Sequence, residues 1–192
     1  MLTFSRNIIV LSNYIFRLFA AIFLLITMPA NAQNNSTVTF NGIGEIKLGM
    51  KKTDLEILLN KTIPVPNITS NKFDVYQDTV HLTYSGIEEY IILQRPPYDE
   101  NQIIVWEIRS KSGSIKTKSG IGIGDNMAKI IFMYEDYMLY IIPTFDTSND
   151  KIRIQGKSTI ELYSSDRANK IIFYLNDDEV TEVGLKFEHN AD

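Results

Sequence analysis

The chain has 192 residues, 44% hydrophobic and 22% charged, with a formal net charge of −4, two histidines and no cysteine. That length suffices for one well-buried core. The acidic balance argues against nucleic-acid binding, which leaves a basic footprint. Without cysteine there are no disulfides, thiol nucleophiles, thiolate metal sites or lipid-modified N-terminal cysteine.

Residues 1–32 read as a secretory signal peptide. Arg6 and Arg17 supply positive charge, an apolar run occupies 18–28, and Ala30-Asn31-Ala32 offers small residues for cleavage before Gln33. The apolar run rises only about 16 Å as a helix, short of the roughly 30 Å hydrocarbon layer. The expected product is a periplasmic or secreted protein with no stable membrane anchor. Loss of Arg6 and Arg17 takes the formal charge from −4 to −6.

Residues 33–40 read as a polar N-terminal tail. The remaining chain is written twice, as repeat 1 over 41–114 and repeat 2 over 115–192. Gly42-Ile43-Gly44-Glu45-Ile46-Lys47-Leu48-Gly49-Met50 opens the first and Ser119-Gly120-Ile121-Gly122-Ile123-Gly124-Asp125 the second. Each opening predicts a short extended lead-in and then a helix. Over 52–60, Leu55, Leu58 and Leu59 fall at i, i+3, i+4. Residues 126–134 carry Met127, Ile130, Ile131, Met133 and Tyr134, with Asp125 or Asn126 as N-cap. The first helix has only Lys51 at the capping place.

Strands fill the remainder. Val80-His81-Leu82 matches Ile160-Glu161-Leu162, Ile91-Ile92-Leu93 matches Ile171-Ile172-Phe173, and Val105-Trp106-Glu107-Ile108 matches Val180-Thr181-Glu182-Val183. Residues 137–145, broken by Pro143, read as an extra edge strand. Asn176-Asp177-Asp178 reads as a hairpin turn. The fold class expected is α+β: two tandem helix-plus-antiparallel-sheet repeats packed into one domain, with the helices on one side of the sheet.

The signature Ile46-Lys47-Leu48-Gly49-Met50-x-x-x-Asp54-Leu55-x-x-x-Leu59 resembles the SmpA/OmlA (BamE-like) outer-membrane lipoproteins. It is also similar to the β-lactamase-inhibitor-protein fold, built from two tandem copies of such a unit. The lipoproteins' anchoring cysteine is missing here, as is an additional helix before each Gly-Met turn. The resemblance implies protein–protein contact rather than catalysis.

No constellation selects a chemistry. The glycines at 42, 44 and 49, and at 120, 122 and 124, break the dinucleotide fingerprint, because Met127 stands where the third glycine belongs. They read as strand-to-helix turns, and no cofactor is implied. Asp146, Ser148 and Asp150 have calcium-loop spacing, but Lys151 and Lys157 occupy the glycine and glutamate positions. His81 and His189 have no second histidine at ligand spacing, so no metal site is expected. Glu88-Glu89, Glu135-Asp136 and Asp177-Asp178-Glu179 read as solvated turns.

Four residues are candidates for partner contact. Trp106 is the only tryptophan, with core and interface anchor as its two readings. Tyr98 sits in a Pro-Pro loop. Ile172 and Tyr174 make the second face of a strand whose other face, Ile171 and Phe173, is already apolar. The function expected is an exported binding or scaffold module of the bacterial envelope, with another envelope or secreted protein as partner. The alternative is an exported hydrolase whose Glu88-Glu89 and Asp177-Asp178 carboxylates converge between the repeats.

Overall fold

The computed structural model describes residues 37–64, 77–96, 102–146 and 148–188. The segment 1–32, read above as a signal peptide, and Tyr98 and His189 lie outside the described residues. The element order is β1 (Thr37–Thr39), β2 (Gly42–Ile43), β3 (Ile46–Lys47), α1 (Lys52–Leu59), β4 (Gln77–Tyr84), β5 (Ile87–Gln94), β6 (Ile104–Ser110), β7 (Lys116–Thr117), α2 (Met127–Met133), β8 (Leu139–Asp146), β9 (Asn149–Tyr163), β10 (Asn169–Asn176) and β11 (Glu179–Phe187). No helix among them is long and apolar enough to cross a membrane.

This corrects the expected fold class. The described chain is mostly β, arranged as a four-stranded and a seven-stranded sheet, and is not an α+β domain of two helix-plus-sheet repeats. The reason lies in burial. Each helix is short and fully buries one side chain, Leu55 in α1 and Ile130 in α2. Ile57 and Phe132 stay exposed, so neither helix covers a sheet of its own. Strands rich in Ile, Val and Leu supply most of the core instead.

The large sheet runs β4-β5-β6-β11-β10-β9-β8. It is antiparallel throughout, and β6 meets β11 at its middle with Ile108 opposite Leu185. Two of its hairpins close through two-residue turns, Ser85-Gly86 and Asp177-Asp178, whose positive φ values match the strand twist. The small sheet runs β3-β2-β1-β7. Its β1–β7 pairing is parallel, Val38 opposite Thr117, and Val38 is buried although it falls in the segment read as a polar tail.

Alternation divides the large sheet into two faces. Ile91, Leu93, Ile108, Phe173 and Leu185 point to the core, joined there by Leu55 and Ile130. Tyr90, Ile92, Glu107, Arg109, Ile172 and Tyr174 belong to the opposite, outer face by register. The glycine turns dock at the starts of β6 and β11. Gly49 N–H donates to Val105 carbonyl and Lys52 N–H to Ile103; Gly124 N–H donates to Val180 and Met127 N–H to Asp178.

Candidate functional site

The outer face holds a concavity of about 420 Å³, lined by Thr79, Tyr90, Ile92, Arg109, Lys111 and Glu182. Its floor comes from strand register. Tyr90 lies opposite Arg109, Arg109 opposite Gly184, and Gly184 opposite Ile172. Gly184 leaves the gap that Arg109 and Tyr174 close over: a Cβ there would stand 3.1 Å from Tyr174 Cε2 and 3.6 Å from Arg109 Cγ. The Arg109 guanidinium carbon sits 5.1 Å from the Tyr174 ring centroid, a cation–π contact.

Ion pairs fix the charged groups in layers. Arg109 Nε donates to Glu107 Oε1, and its Nη1 is 3.8 Å from Glu182 Oε1. Lys111 Nζ is 3.5 Å from Glu182 Oε2, and Lys186 Nζ is 4.0 Å from Glu107 Oε2. The acids lie beneath: their side chains are 4% (Glu107) and 16% (Glu182) exposed, against 36%, 62% and 40% for Arg109, Lys111 and Lys186. Solvent therefore meets cations on an otherwise acidic protein. Burial works against the Arg109 charge, but the hydrogen bond to Glu107 and the neighbouring acids outweigh it and raise its pKa. Burial pushes the Tyr174 phenol up to about 12, so it stays neutral.

Beyond Ile172 the face is closed by a second cluster. Lys170 Nζ bonds Glu161 at 3.0 Å and Glu188 at 2.9 Å, over the Tyr163 ring. That lysine is saturated, whereas Lys111 is not buried. The concavity can therefore accept an anionic group on the solvent side of Arg109 and Lys111, above the Glu182 carboxylate that bridges them, with Tyr90 and Ile92 as apolar walls. His81 stands at its rim, exposed, its ring edge-on to Tyr90 at 4.5 Å.

The residues picked from sequence are spread unevenly around this site. Tyr174 stands beside it, its ring against the Arg109 guanidinium. Ile172 is on the same face but buried, and is no exposed anchor. Trp106 is the extra residue of a bulge, since Ile92 pairs with Glu107 while Leu93 pairs with Val105. It packs against Phe187, rings 5.5 Å apart, outside the main core cluster. Glu88 is exposed while Glu89 is buried on the core face.

Glu89 and Asp178 are not brought together. Glu89 pairs with Ser110 and Ser110 with Val183, and Asp178 lies five residue steps further along the chain, roughly 17 Å. Ser110 Oγ donates to the Glu88 carbonyl, so that hydroxyl is committed too. At the calcium-like spacing, Asp146 Oδ1 accepts from both Ser148 N–H and Ser148 Oγ in a local turn. Among the described residues no group of three His, Asp or Glu could hold a metal ion.

Sequence reading missed Arg109, Lys111, Glu182, Tyr90 and Ile92. The alternation of Tyr90 and Ile92 with Ile91 and Leu93 was a visible signal of a second, partly apolar face. Which cation stands beside which acid depends on the pairing of β5, β6 and β11, and local pattern carries no trace of it. Comparison with known protein families, with curated proteins and with solved structures finds no match to this chain.

Proposed function

We propose that this chain is an exported binding module of the bacterial envelope, periplasmic or secreted, that grips a protein partner through the outer face of its seven-stranded sheet. The partner segment carries a carboxylate next to an apolar or aromatic side chain. One observation carries the reading: in the concavity the acids Glu107 and Glu182 lie underneath, and Arg109 and Lys111 face solvent. A carboxylate entering there meets a guanidinium already held in place by Glu107 and Tyr174, so little side-chain entropy is lost on binding. The expected partner is another envelope or secreted protein. The resemblance of the Gly49-Met50 signature to BamE-like and inhibitor-protein units agrees with a contact role.

Selection from a random peptide library on the purified protein tests this. Enriched sequences should contain Asp or Glu beside Phe, Tyr, Leu or Ile. Their affinity should fall about tenfold or more with Arg109→Ala. Lys111→Glu should lower the association rate and the salt dependence. Enrichment of basic peptides, or affinities untouched by both substitutions, would overturn the reading.

A further inference from the structure

The two ends of the seven-stranded sheet are finished differently. On β4 the edge carries Asp78, Thr79, His81 and Thr83, a polar and charged rim of the kind that blocks further strand pairing. On β8 no charged residue occurs from Tyr137 to Phe145. Tyr137, Met138, Tyr140, Ile141, Ile142 and Phe145 are all exposed large hydrophobic side chains. Both faces of this strand are therefore apolar and open to water.

Among the described residues β8 has a strand partner on one side only. Tyr163 N–H donates to Met138 carbonyl, and Leu139 lies opposite Leu162. Antiparallel alternation then turns the N–H and C=O of Tyr140 and Ile142 toward β9, and those of Leu139, Ile141 and Pro143 outward. Pro143 thus sits where its missing N–H costs the sheet no bond. Leu139 and Ile141 offer two donors and two acceptors to a newcomer, and Pro143 one acceptor.

We propose that this edge pairs with the same edge of a second copy, antiparallel about a two-fold axis near Ile141. Such a contact is self-complementary: each Leu139 and Ile141 N–H finds a carbonyl of the other copy, Ile141 meets Ile141, and Tyr140 of each copy lies opposite Ile142 of the other. With no charge in the strip, like meets like without repulsion. The exposed side chains of 137–145 present on the order of 500 Å² per copy, against about 800 Å² per partner in a standard interface. Contact of that size gives a dimer of modest, concentration-dependent affinity. The concavity at Arg109 lies on β5, β6 and β11, away from this edge, and stays open in the dimer.

Sedimentation velocity of the purified chain over rising concentration, with single-cysteine cross-linking, tests the proposal. A reversible dimer is expected, strengthened or unchanged by added salt because the copies share a negative net charge. Ile141→Lys should raise its dissociation constant tenfold or more while leaving the circular dichroism of the monomer intact. Because the chain has no cysteine of its own, Ile141→Cys should form disulfide-linked dimers under mild oxidation, its two Cα atoms being about 5.5 Å apart across such a pair and within bridging range. A chain that stays monomeric to about 300 µM, well above a micromolar dissociation constant, with no cross-link at 141, would overturn the proposal. So would a dimer that ignores Ile141→Lys, or one that cross-links through Thr83→Cys on β4 in place of β8.

Discussion

Glu89 shows how one residue can set the pH response of a fold. It points from β5 into the core on the face of Ile87 and Ile91, and its Oε2 has no hydrogen-bond partner among the described residues. Burial raises its pKa from 4.5 to about 7. Below about pH 4.5 the carboxyl is protonated in both the folded and unfolded chain, and its burial carries no ionic penalty. Between about 4.5 and 7 the unfolded chain ionises first, so stability falls as pH rises; above about 7 the loss is complete, at about 3 kcal/mol. Glu89→Gln should therefore leave stability at pH 4 nearly unchanged and raise it by about 2–3 kcal/mol at pH 8, read by urea denaturation at both pH values. An equal gain at both would mean that the carboxyl stays ionised in the fold. Sequence pairing of Glu88 with Glu89 suggested a solvated turn. Strand alternation separates the two, sending Glu88 to water and Glu89 inward. Gly184 belongs to the same scale. Its Gly184→Ala variant should push the Tyr174 ring off Arg109 and weaken peptide binding before it unfolds the protein, as the added methyl meets movable side-chain atoms.

At the scale of elements, the two helix starts invite comparison. Asn126 caps α2, its side chain accepting from Lys129 N–H at 2.9 Å. Lys51 begins α1 in an extended conformation with no side-chain cap bond. Asn126→Ala should cost about 1 kcal/mol, and Lys51→Asp should gain about 0.5–1 kcal/mol, because the orphan N–H groups of α1 would find an acceptor and its dipole an anion. Thermal unfolding of both variants measures this. Helix positions, the β8 edge strand and the Asp177-Asp178 turn were legible because each has a local cause: a 3.6-residue period, a proline, a pair of residues tolerant of positive φ. The fold class was not. Periodicity shows that Leu55, Leu58 and Leu59 share a face. It does not show how little sheet an eight-residue helix covers, and burial of Leu55 alone decided that. The small sheet was equally hidden, since Val38 and Thr117 pair across a long stretch of chain. The site suffered the same loss: alternation put Tyr174 on a second strand face, but Arg109, Lys111 and Glu182 converge only through register.

For the whole molecule the question is how many units unfold. Two strand pairings join residues before Ser110 to residues after Ile115 among those described, β6 with β11 and β1 with β7. The first is central. Ile108 and Leu185 are both fully buried and directly opposite, in one core cluster that draws on every part of the large sheet. All described residues also fall in one unit, 34–192. A sheet tied at its middle by buried side chains should not release one half while the other stays folded, because the exposed faces of β6 or β11 would then carry apolar surface into water. Trp106 offers a local probe, as the only tryptophan and a residue of β6 packed on Phe187 of β11. Its fluorescence and the far-ultraviolet circular dichroism should therefore give one coincident urea transition. Leu185→Ala, made in β11, should destabilise by about 2–5 kcal/mol and shift both signals equally, although the fluorescence comes from the other half of the chain. A Trp106 transition left in place while the dichroism moves would mean that the β6–β11 seam does not couple the halves, and that each side of the sheet holds itself together.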